Sequence, residues 1–371
     1  MNIHEFNAFL ETTRHSIRQD TPLHLVLGNE SADPDSVVSS LMYAYFCSNS
    51  TAFQDTAMVP LANIRARELR LRPEVIFLLK DTGIDPALLL FRDQIDLKSA
   101  ARRKGFRITL VDHNDLAPRQ TFLEAYVDAV IDHHPDSGRF GQAAPRIIEP
   151  VASTATLIAR LILARHPALL DPSLAKLLLG PILLDSVNLD PEARRCSARD
   201  HHMVARLAAL AGIDPTPLYE SLVAARGDVT GMSVRDLLER DLKLGSNPDF
   251  AFGVSAVPTR LMQWIAQNPD LPEKINRFAR NRNLDLFLVL TYYPNPRFQR
   301  WVLAWSPDPQ LTDGLLAWFN AHDTRLSPMN IARGGENMPK KFRIWRQQNI
   351  HQSRKHLIPL LKSYCPDLKS G

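Results

Sequence analysis

The chain has 371 residues, 45% of them hydrophobic and 23% charged, a length that suits two domains better than one core and a composition ordinary for a soluble globular fold. The formal net charge is only +4, the three cysteines Cys47, Cys196 and Cys365 form no CxxC pattern, and no stretch reaches the roughly 18 consecutive apolar residues of a membrane span. A disulfide scaffold, a thiolate metal site and an integral membrane protein are thereby excluded as readings, and the charged N-terminal residues predict a cytoplasmic protein without a leader.

The first predicted strand is LHLVL (Leu23 to Leu27). A helix follows through VVSSLMYAYF, where Val37, Val38, Leu41, Met42, Tyr45 and Phe46 make one face apolar. Further strands are expected at EVIFLL (Glu74 to Leu79), RITLV (Arg107 to Val111) and YVDAVI (Tyr126 to Ile131). Alternation of strands with helical patterns predicts an α/β fold, a mainly parallel sheet flanked by helices. Ser153 or Thr154 should cap a helix in TLIARLILARH, and SLAKLLLGPILL should make another, in which Gly180 and Pro181 are expected to disturb the turn.

After about Gly212 a proline-containing connector, DPTPLY, marks a boundary expected within residues 205–220, which divides the chain into residues 1–212 and 213–371. The second, smaller α/β region should contain one helix over SVRDLLERDLKLG and strands in FAFGVSAV, LDLFLVLTYY and WVLAW. Its end is basic: Arg333, Lys340, Lys341, Arg343, Arg346, Arg354, Lys355, Lys362 and Lys369 predict an anionic partner.

Each predicted strand of the first region runs into a polar cluster. These are Asn29, Asp33 and Asp35 in GNESADPDS, Asp81 in KDTG, Asp112, His113 and Asn114 in DHN, and Asp132, His133 and His134 in DHHPD. Ligands of an open parallel sheet bind outside the carboxyl ends of its strands, so these loops should converge. Two unit charges 4 Å apart cost about 4 kcal/mol at an effective dielectric of 20, so gathered carboxylates need positive charge among them. Carboxylates with neutral imidazole are a ligand set for divalent cations, and the number of ligands suggests two ions. A second triplet, Asp200, His201 and His202, lacks a preceding strand and is expected as a solvated first helical turn.

GNESADPDS, VDHN and VIDHHPD together resemble the DHH phosphoesterase superfamily, and DLLERDLK and QNIHQSRKHLIPLL resemble the basic motifs of its DHHA2 domain. Members with that second domain include family II inorganic pyrophosphatases, Prune proteins and fungal-type exopolyphosphatases. Asn29 stands where pyrophosphatases carry a ligating His, and His134 stands where animal-type Prune proteins carry Arg, so the pattern is most similar to a cytosolic fungal-type exopolyphosphatase. The glycine-rich, His-containing motif of oligonucleotide-cleaving relatives is not matched by Gly334 and Gly335 in RGGEN.

The resemblance implies that Asp33 holds one metal and Asp35 the other, that Asp112 bridges them, and that His133 and Asp185 complete the second site. Asp81 is a further ligand by its strand-end position, with no firm counterpart in the pyrophosphatases. His134 would face substrate as a catalytic group beside Asp112, while Asn29 and Asp132 support the ligands from behind. Arg240 and Lys243, expected on one helix face, and Arg354 and Lys355 at the start of another helix match phosphate-binding positions. The implied activity is release of orthophosphate from inorganic polyphosphate by two divalent ions, manganese, magnesium or cobalt, in a monomer that binds neither nucleic acid nor membrane. A Prune-like phosphodiesterase, a short-chain or nucleotide phosphohydrolase and a pyrophosphatase remain alternatives.

Overall fold

The structure, a computed structural model, describes residues 3–19, 21–293, 299–329, 339–349 and 352–365; the expectations placed on Arg333, Gly334, Gly335 and Lys369 lie outside them. Residue contacts divide the chain into two units, Met1–Asp228 and Val229–Gly371. The division falls later than expected because helix Pro215–Gly227 buries Leu218 and Leu222 in the core of the first unit.

The first unit runs α1 (Ile3–Ser16), β1 (Leu23–Leu27), α2 (Pro34–Ser48), β2 (Ala57–Leu61), α3 (Pro73–Asp81), α4 (Leu97–Ala100), β3 (Arg107–Val111), β4 (Val127–Asp132), β5 (Arg146–Ile148), α5 (Thr154–Arg165), α6 (Pro172–Asp185), α7 (Ala198–Ala211) and α8 (Pro215–Gly227). The sheet order is β2-β1-β3-β4-β5 and every neighbouring pair is parallel. EVIFLL is therefore not a strand. Pro73 opens α3 with its φ preset for a helix, and Val75, Leu78 and Leu79 bury one helical face. The second strand is instead AMVPL, placed at the sheet edge, where Pro60 leaves no ladder bond unmade within the sheet.

Two helices depart from expectation. α2 is buried on all sides rather than on one face, since it packs against β2, α5 and α6. α6 continues through Pro181 to Asp185. Gly180 lets α3 approach closely there: a Cβ would lie 2.6 Å from Leu78 Cδ2. Each fully buried leucine or valine of these contacts stabilises the unit by roughly 1.5–3 kcal/mol.

The second unit runs α9 (Val234–Arg240), β6 (Leu242–Ser246), β7 (Ala251–Val257), α10 (Leu261–Gln267), α11 (Leu271–Arg280), β8 (Leu286–Tyr293), β9 (Gln299–Trp305), α12 (Pro309–Ala321), β10 (Leu326–Pro328), β11 (Phe342–Gln347) and α13 (Arg354–Ser363). Its sheet order is β10-β11-β9-β8-β7-β6, antiparallel except for the β7–β8 pair. Alternation along β8 splits the core: Phe287 and Val289 face one apolar cluster with Trp305, while Leu286, Leu288 and Leu290 face another with Phe252.

Candidate active site

In the first sheet the winding direction reverses between β1 and β3, so the loops leaving those strands part and open a crevice. Asn29 and Asp112 join its two lips. The Asn29 amide donates to the Asp112 carbonyl oxygen (2.9 Å), and its Oδ1 accepts from the Ser31 N–H (3.0 Å). Asp112 has φ 63°, a left-handed backbone that non-glycine residues seldom adopt and that recurs at functional sites.

From there its carboxylate faces His133, whose Nε2 lies 3.5 Å from Asp112 Oδ1 and 3.6 Å from Asp35 Oδ2. The other ring nitrogen, Nδ1, lies 3.0 Å from the Val151 carbonyl oxygen, which only accepts. Nδ1 therefore carries a proton, and in the neutral ring Nε2 offers a lone pair on the side of the two carboxylate oxygens. That tautomer suits a cation placed between the ring and the carboxylates, and an imidazole fixed by a carbonyl on its far side is a usual metal ligand.

The carboxylates come from separate elements. Asp33 caps α2 by accepting from the Ser36 N–H (3.1 Å). Asp35, on the first turn of α2, is buried and accepts from Ser39 Oγ (3.1 Å), Ser153 Oγ (2.6 Å), and the N–H groups of Thr154 (2.8 Å) and Ala155 (2.9 Å) at the start of α5. Asp185 ends α6. Burial first, and then the charges of Asp35 and Asp33, hold both Asp112 and Asp185 well above the usual carboxylate range, with Asp185 and Asp132 adding to the effect on Asp112. The crowding foreseen in the sequence is thus present, and these groups fit divalent cations.

The triplet itself is divided by role. Asp132 is fully buried and its Oδ1 accepts from the backbone N–H of His133 (2.7 Å) and of His134 (3.2 Å) and from His134 Nδ1 (2.8 Å). Burial alone would raise Asp132, but the bonds from His134 outweigh it and hold the carboxyl below its ordinary value. The same bond raises His134. Its side chain is 48% exposed, which leaves Nε2 accessible to a ligand. Asp112, Asp132, His133 and His134 offer ligand atoms that all lie within 4.8 Å of one another.

Three expectations change. Asp81 ends a helix, not a strand, and pairs with Lys176 Nζ of α6 (2.7 Å). Asp200 is not solvated. It is buried, closes a capping box with Ser197 and accepts from the Ala152 N–H (3.1 Å) and Thr156 Oγ1 (2.7 Å), whereas His201 and His202 are exposed on α7. Arg240 and Lys243 do not share a helix, because α9 stops at Arg240 and Lys243 lies in β6.

In the second unit Arg354 opens α13 and pairs with Asp241, the residue between α9 and β6, so the two basic stretches meet. Lys243 and Lys355 are exposed. Two supporting residues had no role in the site assigned from the sequence. Asn114 Nδ2 donates to Asp132 Oδ2 (2.5 Å), and Ser153 joins the α5 cap to Asp35. Asn114 stood within the quoted DHN, and Ser153 carried only a helix-cap signal.

Comparison with known proteins matches both regions of the chain. The DHH family, N-terminal domain, matches residues 24–182, and the DHHA2 domain matches residues 220–364. The chain is 31% identical over 361 residues to exopolyphosphatase PRUNE1 of Bos taurus, covering 95% of this chain and 78% of that protein. It is 32% identical over 391 residues to a Schizosaccharomyces pombe protein described as an exopolyphosphatase, covering 96% and 97%. A Methanococcus jannaschii structure described as a family II inorganic pyrophosphatase has the same fold, with a TM-score of 0.57 and 22% identity over 92% of this chain and 99% of that one. With both domain types in order and a relative of this identity matched over most of its length, the chain belongs to the DHH phosphoesterase family whose members carry a DHHA2 domain.

Proposed function

We propose that the protein is a metal-dependent exopolyphosphatase that releases orthophosphate from the ends of inorganic polyphosphate. The observation that carries this reading is the placement of His133 Nε2 beside the carboxylates of Asp112 and Asp35, with its other nitrogen fixed by Val151. Asp33, Asp35, Asp112, His133 and Asp185 would hold two divalent cations of the manganese or magnesium class. Bound there, such ions neutralise the carboxylates, polarise phosphoryl oxygens and acidify water.

Hydrolysis places a water oxygen on the terminal phosphorus and breaks the bond from that phosphorus to the bridging oxygen. His134, whose affinity for a proton is raised by its bond to Asp132, would donate the proton at Nε2 to the departing oxygen. Asp132 orients that ring, and Asn114 holds Asp132. Arg240, Lys243, Arg354 and Lys355 bind the remaining polyanion, Arg through its fork of donors and Lys as a point charge. Asn29 favours this reading over a pyrophosphatase, since its amide is engaged at both ends and leaves less for a metal than the histidine of that branch. Cytoplasmic residence is in keeping with cysteines that lie far apart in the sequence and form no CxxC pattern.

The test is phosphate release from long polyphosphate, tripolyphosphate, pyrophosphate and short oligonucleotides with a panel of divalent ions, with Asp112→Asn alongside. Metal-dependent release from polyphosphates, lost by orders of magnitude in the variant, is expected. Cleavage confined to pyrophosphate or to oligonucleotides overturns the proposal.

A further inference from the structure

The second triplet leads away from the carboxylate cluster. Its aspartate is spent on structure: Asp200 Oδ2 accepts from the N–H and Oγ of Ser197, while Oδ1 accepts from Ala152 and Thr156, which locks the start of α7 to that of α5. Between these helices lies an open groove of about 440 Å³. Thr156, Arg160, Leu163 and Ala164, at i, i+4, i+7 and i+8, supply one wall from α5; Arg199, His202, Met203 and Arg206 supply the other from α7. The floor is largely apolar and the rim is cationic.

The charges of the groove are unbalanced. Arg160 donates from both terminal nitrogens to Glu149 (2.8 and 2.5 Å), and Arg199 pairs with the same carboxylate. Arg206 and His202, one helical turn apart, have neither an ion pair nor a side-chain hydrogen bond among the described residues. Three guanidinium groups thus share one acid, around a volume within the range of small-molecule sites. Guanidinium groups bind phosphate by paired donors and stack on planar groups, while Met203, Leu163 and Ala164 offer contact to an apolar body. We propose that the α5–α7 groove is a binding site for a small organic phosphate, a phosphorylated molecule of nucleotide size with an apolar or aromatic part, separate from the candidate active site. Arg206 and Arg199 take its phosphate, and the floor takes its body. Inorganic phosphate shares the charge but not the body, and therefore binds more weakly.

The probe is adenosine monophosphate, compared with inorganic phosphate by calorimetric titration of the full chain. Three variants accompany the parent: Arg206→Glu, which reverses the unpaired charge; Ala164→Trp, which fills the groove and keeps every charge; and Asp112→Asn, which disables the carboxylate cluster. Saturable binding of the nucleotide is expected, weakened at least about tenfold by Arg206→Glu and by Ala164→Trp and within about twofold of the parent in Asp112→Asn. Because Arg206 and Ala164 are exposed, both variants should fold as the parent does. Absence of saturable binding at millimolar nucleotide overturns the site, as does equal affinity for inorganic phosphate, indifference to Ala164→Trp, or loss of binding in Asp112→Asn.

Discussion

His134 Nδ1 sits 2.8 Å from Oδ1 of Asp132, two residues before it in the same triplet. The pair shifts in opposite directions, His134 upward through this bond and Asp132 downward despite its burial. His134 therefore stays protonated to higher pH than an ordinary imidazole. If it protonates the leaving oxygen, activity falls on the alkaline side as His134 loses its proton. Asp132→Asn should lower kcat by roughly 10²–10⁴-fold, the range of a general acid, and move the alkaline limb of the pH profile to lower pH. His201→Ala, in the exposed second triplet, should leave kcat within a few fold. An alkaline limb that stays in place in Asp132→Asn would show that another group sets it.

A second expectation concerns metal removal. Asp112 and Asp185 have folded-state values raised by burial and by neighbouring acids. Groups raised in this sense contribute stability that is complete below the unfolded carboxylate value, about 4, and is lost as pH rises through the raised folded values. Metal-free protein should accordingly melt at lower temperature as pH increases across that window, and added manganese should remove the trend. Metal binding must also displace the protons. Titration of manganese into weakly buffered, metal-free protein at mildly acidic pH should release protons, less so in Asp112→Asn. Binding without proton release at any mildly acidic pH would contradict the raised values.

The parts of the site legible in the sequence are those whose signal is local. Asp112 and the DHH triplet follow apolar runs that are strands, so their position at the sheet's carboxyl edge could be read from the run itself. EVIFLL has the same look but is a helix, since a run of that length fits either period; Pro73 before it is the signal for a helix, and it puts Asp81 at a helix end and not a strand end. AMVPL went unread because Pro60 argues against a strand except at an edge, and edges are set by the whole sheet. Ser153 bonds Asp35 across 118 positions, and Asp200 bonds Ala152 across 48. Contacts of that range have no periodicity to betray them.

Ser153 also yields a prediction that separates stability from metal affinity. Its Oγ caps α5 through the Ala155 N–H (3.3 Å) and donates to Asp35 (2.6 Å). Ser153→Ala should cost roughly 1–2 kcal/mol of unfolding free energy, the scale of a lost cap. It also removes one of the donors that orient Asp35, so manganese affinity should fall further than in a cap variant remote from the site, such as Asp171→Ala at the start of α6. Equal metal affinity in the two variants, with equal loss of stability, would assign Ser153 to the helix alone.

Arg354 and Lys355 are neighbours with different surroundings. Arg354 is 16% exposed and tied to Asp241, whereas Lys355 is exposed at the start of α13. Removing Arg354 leaves Asp241 without its partner and loosens the contact between the two basic stretches, so Arg354→Ala should lower stability as well as substrate binding. Lys355→Ala should fold normally and bind metal normally. If Lys355 holds phosphates beyond the reacting one, its loss raises KM for long polyphosphate more than for tripolyphosphate, and the salt dependence of KM becomes shallower, because exposed charges are screened over about 8 Å at physiological ionic strength. A residue that instead steadied charge on the reacting phosphoryl group would lower kcat equally for every chain length. Such a uniform fall would refute the extended binding surface and leave the carboxylate cluster of the first unit as before.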